Sequence, residues 1–281
     1  TQAYPMRLLH TSDWHLGQAL HNYERTYEHQ RFLDWLLDTI VAEQADALLI
    51  AGDIFDTANP SASAQKQLYR FLREARERAP QLDIVVIAGN HDSPGRLEAP
   101  APLLEAHGTS VIGTIIRNAD GAIDLERLLV PLRGKDGAIA AWCLAIPFLR
   151  PGDVPRIEAL EEGADPYLNG IGLLYEQAFA LARGKCADGQ SIVAMGHCHM
   201  VNGESSIDSE RRIVIGGTEA LPAGIFDPAI AYAALGHLHL AQKVGQKEHV
   251  RYCGSPLPLS FAETGYKHQV LRVDLAGGKA A

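Results

Sequence analysis

The sequence predicts an α/β fold of two packed mixed β-sheets flanked by helices, and three observations predict it. Five short apolar runs each end in a small residue followed by a carboxylate, amide or imidazole. Helical stretches of crossover length separate the first three runs, and strand-like segments return after one further helix in the second half. With 281 residues the chain can bury one large core, and 47% hydrophobic with 21% charged residues is the balance of an ordinary globular domain.

Arg7 to Thr11 reads as the first strand and runs into Asp13-Trp14-His15. Phe32, Trp35, Leu36 and Ile40 recur at helical spacing and are expected to form the buried face of the helix that follows. Ala47 to Ala51 is the second strand, leading into Gly52-Asp53-Ile54-Phe55-Asp56. Asn59 and Pro60 read as N-cap and first turn of a helix reaching about Ala79. Ile84 to Ala88 leads into Gly89-Asn90-His91-Asp92, so this half is a series of β-α-β units with right-handed connections and a mostly parallel sheet. From Gly108 to about Arg150 the strands are short, as in Ala138 to Ile146, and a helix follows around Leu168 to Arg183. Ile192 to Met195 leads into Gly196-His197-Cys198-His199, Ala231 to Leu235 into Gly236-His237-Leu238-His239, and Leu271 to Asp274 is the last strand. Residues 6–275 are expected to form one domain. Residues 1–5 precede a natural start at Met6 and are expected to be a remnant outside the domain; residues 276–281, small and polar, are expected to be a flexible tail.

Composition narrows the function classes. No apolar run approaches the roughly 20 residues of a transmembrane helix and nothing at the start resembles a signal peptide, so a cytoplasmic protein is expected. Cys143, Cys186, Cys198 and Cys253 form no C-x-x-C pair and read as buried free thiols. A net charge of -9 argues against a polyanionic partner unless acidic residues hold divalent cations, which invert the local electrostatics. Lys66, Arg70 and Arg73 read as a solvated helix face, and Arg96 equally as a phosphate contact or a surface ion pair. His10, His21, His29, His107, His249 and His268 are expected at the surface or in turns.

The strand-end residues carry the chemistry. In open α/β sheets ligands gather at the carboxyl ends of strands, where all five polar clusters fall. Asp13, His15, Asp53, Asn90, His197, His237 and His239 are too many donors for one ion, and oxygen mixed with imidazole suits manganese, iron or zinc. Residues i and i+2 of an extended segment point the same way, so Asp13 with His15, and His237 with His239, can converge. The expected first site is Asp13, His15, Asp53 and His239; the second is Asp53, Asn90, His197 and His237, with Asp53 bridging. His199 is an alternative to His197, which is preferred because it directly follows the strand and Gly196. Helix capping or turn formation is the competing role for Asp13, Asp53 and Asp92. Two metals so held can bind phosphoryl oxygens and generate hydroxide at neutral pH for in-line displacement. His91 is the expected acid for the leaving oxygen, and Asp56 the group that orients its imidazole.

These D-x-H, G-D-x-x-D, G-N-H-D and G-H-x-H blocks are identified as those of the calcineurin-like metallophosphoesterases. Arg7 to Gly17, Ala51 to Thr57 and Arg251 to Phe261 further resemble the nuclease subunits of bacterial double-strand-break repair complexes, and the likeness runs from Met6 to about Asp274. The resemblance implies a manganese-dependent 3′–5′ double-strand DNA exonuclease and single-strand endonuclease. It would trim DNA ends and hairpins as a homodimer inside a heterotetramer with a partner ATPase. It also places the metal ligands on the same seven positions and the catalytic histidine on His91. Related nucleases outside bacteria carry histidine where Asp56 stands. The family continues into a capping domain and an ATPase-binding helical segment that this chain lacks, so a catalytic core is expected. The rival readings are a phosphomonoesterase or cyclic-nucleotide phosphodiesterase of the same superfamily, and a DNA-end scaffold with structural metals. The Arg251 to Phe261 segment argues against the first, and the seven ligands with His91 against the second.

Overall fold

A computed structural model of the protein describes residues 6–158, 160, 162–205, 210 and 220–280. Strand β1 (Met6–Thr11) is followed by a small ribbon of β2 (Ala19–Leu20) and β3 (Tyr23–Glu24), helix α1 (Thr26–Ala42), β4 (Ala47–Ala51), α2 (Ala62–Arg78) and β5 (Asp83–Ile87). Two short helices, α3 (Pro94–Glu98) and α4 (Ala101–Glu105), precede β6 (Thr109–Ile112). The second half holds β7 (Leu129–Arg133), β8 (Ile139–Ala145), α5 (Pro166–Lys185), β9 (Ser191–His197) and β10 (Tyr232–Gly236). It closes with β11 (Gln242–Val244), β12 (Lys247–Tyr252), β13 (Leu271–Ala276) and β14 (Lys279–Ala280).

Two six-stranded sheets result, ordered β14-β13-β1-β4-β5-β6 and β11-β12-β10-β9-β8-β7. In the first, β1, β4, β5 and β6 run parallel and β13 pairs antiparallel with β1. In the second, β8, β9, β10 and β12 are parallel, with β7 and β11 antiparallel at the edges. Both sheets are mixed, as the sequence predicts.

Alternation along β4 shows why the runs are apolar throughout. Ala47, Leu49 and Ala51 enter the core between the sheets, while Leu48 and Ile50 enter the one beneath α1 and α2. Both faces are buried, so no polar residue interrupts the strand. On β1 the inter-sheet parity of Met6 and Leu8 passes next to His10. It is fully buried, with its Nδ1 2.8 Å from the Tyr232 hydroxyl and its Nε2 3.1 Å from the Leu235 carbonyl on the opposite sheet. His10 is thus a polar link between sheets and not a surface histidine. His29 is also buried, its Nε2 2.8 Å from the Trp14 carbonyl.

Other local expectations shift. Trp35 is 49% exposed, because Phe32, Leu33, Leu36, Leu37 and Ile40 define the apolar stripe of α1 and position 35 falls to its far side. Helix α2 starts at Ala62, capped by the Ser61 hydroxyl, which accepts from the Ala64 amide at 3.1 Å; Asn59 and Pro60 lie before it. Lys66, Arg70 and Arg73 are exposed, and Arg73 pairs with Glu74 and Glu77. Cys143 and Cys253 are buried, Cys186 and Cys198 partly exposed, and all four are free. In the expected tail, Gly277 and Gly278 take positive φ and turn the chain so that Lys279–Ala280 pairs back on β13. Among the described residues no helix is long and apolar enough to cross a membrane.

Candidate metal centre

The carboxyl ends of β1, β4 and β5 meet those of β9 and β10 along one edge of the sandwich. Asp13, His15, Asp53 and His237 leave their strands with positive φ (54°, 48°, 50° and 105°), a region costly for residues with a Cβ. The conformation is held by continued pairing beyond the strands: the Asp13 and His15 amides donate to the carbonyls of Gly52 and Asp53, each at 3.0 Å. Gly52 and Gly89 are required sterically. A Cβ on Gly89 would overlap the Asp53 carboxylate, and one on Gly52 the His197 ring.

Among the described residues three sets of donor atoms converge, the atoms of each lying within 4.8 Å of one another: Asp13, His15 and His239; His15, Asp53 and His91; Asp53, His197 and His237. Asp53 belongs to two of them, with its Oδ2 3.6 Å from His15 Nε2 and 3.4 Å from His197 Nε2. Asn90 joins through its Oδ1, 2.9 Å from His197 Nε2. All seven candidate ligands therefore gather here. His199 is half-buried and stays outside the three sets, its ring 6.1 Å from that of His237. Arg96 is exposed.

Around the centre, Nδ1 of each orienting histidine is engaged. His15 donates to Asp56 Oδ1 (3.1 Å), His197 to the Ala51 carbonyl (2.9 Å), His239 to Glu263 Oε1 (2.8 Å) and His91 to the Asp56 carbonyl (2.8 Å). Such partners set tautomer and ring orientation at metal centres. The sequence places Asp56 as the side-chain partner of His91. In the structure the backbone of Asp56 orients His91 and its carboxylate meets His15, a distinction that spacing along the chain cannot make. Glu263 escaped the sequence reading altogether. It is fully buried in a single 3₁₀ turn 24 residues beyond His239, with no motif to mark it. Asp92 has the structural role: its carboxylate accepts from the amides of Gly89, Ile54 and Phe55 at 2.8 to 3.1 Å.

The donor set fits divalent cations. Among the described residues His15 Nε2 is buried without a hydrogen-bond partner, a costly state for an imidazole nitrogen aimed at a carboxylate. With a cation bound, His197 would keep its proton on Nδ1 toward the Ala51 carbonyl and offer the Nε2 lone pair beside Asn90 Oδ1. Burial disfavours the charged forms of Asp13, His15, Asp53, His197 and His237, and opposite charges offset it. Burial alone would lower His197, but Asp53 overrides it and brings the imidazole to about 9. Asp53 is in turn held well below the carboxylate range, its own burial outweighed chiefly by His197. Burial drives His237 well down and Asp13 up. A cluster of carboxylates and imidazoles so arranged is a divalent-metal centre.

A two-sheet α/β sandwich with this centre at its strand ends is a metallophosphoesterase, a hydrolase acting on ester bonds, and the calcineurin-like phosphoesterase family matches residues 6–241. Curated relatives extend the likeness. The chain is 46% identical over 279 residues to the SbcD component of the nuclease SbcCD from Rhodobacter capsulatus, covering 98% of this chain and 68% of the relative. It is 42% identical to that of Escherichia coli (98% and 66%) and 37% identical to that of Bacillus subtilis (98% and 68%). It thus spans about two thirds of the length of these relatives. The chain belongs to the calcineurin-like phosphoesterases and, within them, to the SbcD nuclease family.

Proposed function

We propose that this chain is the catalytic core of a metal-dependent DNA nuclease, a 3′–5′ double-strand exonuclease and single-strand endonuclease. It acts in DNA repair and recombination on ends and hairpins, as a homodimer with the ATPase SbcC. The observation that carries the reading is that Asp53 is shared by two donor clusters, one with His197 and His237 and one with His15 and His91, while His15 links the latter to Asp13 and His239. DNA as substrate and SbcC as partner are supported by the relatives' name, which makes them components of the nuclease SbcCD.

Asp13, His15, Asp53 and His239 would hold one cation, and Asp53, Asn90, His197 and His237 the other; Mn2+ suits this oxygen and imidazole mixture. When bound, such a pair supplies Lewis acidity toward phosphoryl oxygens and brings the pKa of water near neutrality. The chain's own part is orientation and proton supply. Asp56, Ala51 and Glu263 hold His15, His197 and His239 in place, so little reorganisation is left for the moment of reaction. His91 keeps its Nδ1 proton on the Asp56 carbonyl, so a proton for the leaving oxygen would pass through Nε2.

Cleavage of an end-labelled duplex with EDTA, manganese, magnesium or zinc, by wild type and Asp53→Ala, tests this. Manganese-dependent trimming that the substitution abolishes is expected. Intact duplex and single strands beside turnover of a small phosphodiester would keep the metal centre and overturn the DNA substrate.

A further inference from the structure

Beside the metal centre a cleft opens to solvent between the β2–β3 ribbon and the segment after β12. His15, Gln18, Leu20, His21, Asp56 and Phe261 line it. His15 and Asp56 belong to both, so the cleft adjoins any phosphate bound at the centre and is open to what flanks it. Phe261 is 67% exposed, and its ring stacks on the His21 imidazole with centroids 5.2 Å apart and planes inclined by 29°. A single exposed phenylalanine is ordinary, but this one is held on both sides. The Gln18 amide donates to the Leu259 carbonyl at 2.7 Å, and the Arg25 guanidinium to the Pro258 carbonyl. Buried Glu263 ties the same segment to His239 and accepts the Leu259 amide at 2.7 Å. His21 lies in a defined backbone turn, since it and Asn22 take φ of 49° and 68° in the two residues joining β2 to β3.

We propose that the Phe261–His21 pair is a nucleobase platform. The base next to the scissile phosphate extends the stack, so the cleft receives an unpaired strand end. The inference rests on the nuclease reading. Charge favours it: with 25 Lys and Arg against 34 Asp and Glu, the chain has little electrostatic grip on a phosphate backbone. Stacking holds a strand without net charge and tolerates any base, because every base has a π-face.

The test is a cycle on a single-stranded oligonucleotide cut in manganese by wild type, Phe261→Ala and Phe261→Tyr. Each is compared on the intact strand and on strands with one abasic position scanned across the cut site. At one position the abasic site should lower wild-type kcat/KM by roughly 5- to 150-fold, the range that loss of one base stack produces. Phe261→Ala should lose a similar factor on the intact strand and nothing further on that abasic strand, while Phe261→Tyr keeps the wild-type pattern. Losses that multiply, or Phe261→Ala cutting the intact strand as wild type does, would overturn the platform and leave the nuclease reading standing. A wild-type chain that cuts no DNA would remove both.

Discussion

Buried imidazoles and carboxylates are costly unless each is partnered, and at this centre the partners decide which way every donor points. Glu263 holds His239 Nδ1 and has no contact with solvent. Glu263→Gln keeps the shape and an oxygen for the Leu259 amide but removes the charge behind the ring. Manganese titration calorimetry should then show one of two sites weakened about 10- to 100-fold; two unchanged sites would deny Glu263 its orienting role. His91 lies in a donor set with His15 and Asp53, so metal binding and turnover must be measured together to assign it to proton transfer. His91→Ala should lower turnover by roughly 10²- to 10⁴-fold with the manganese isotherm retained, and full turnover would remove it from proton transfer.

At the scale of elements, the strands end where side chains must turn into the centre, and the turn is made by left-handed residues braced across neighbouring loops. The helices only cover the sheet, so their ends obey local capping. Ser61→Ala should lower stability by about 1 kcal/mol in urea denaturation, as loss of an N-cap hydroxyl does. Asn59→Ala, outside the helix, should stay within about 0.5 kcal/mol of wild type. Equal losses would return the cap to Asn59.

The whole molecule depends on two sheets staying in register across an apolar interface, and His10 is a polar tie through it. Burial lowers its pKa from 6.5 to about 3. Between those values the unfolded chain binds the extra proton, so the contribution of His10 is complete above pH 6.5 and is lost as pH falls toward 3. The slope is at most about 1.4 kcal/mol per pH unit. His10→Leu, which strands the Tyr232 hydroxyl, should cost about 1 to 3 kcal/mol at neutral pH. Its deficit should shrink by about 2 kcal/mol at pH 5, measured by denaturation in EDTA. A deficit independent of pH would show that the ring is not held neutral.

The two-sheet α/β fold and the seven converging donors were legible in sequence because their causes are local. Continuous apolar runs mark strands buried on both faces, as in β4, and glycine before Asp53 and Asn90 marks backbone that a Cβ would obstruct. The partners of those donors were not legible. Whether Asp56 offers its carboxylate or its carbonyl to His91, that Glu263 reaches His239 across 24 residues, and that His10 crosses to Tyr232 are matters of which surfaces meet once two sheets pack. Sequence spacing carries the period of one strand or helix. The distance between residues on different elements exists only after the chain has closed around its core.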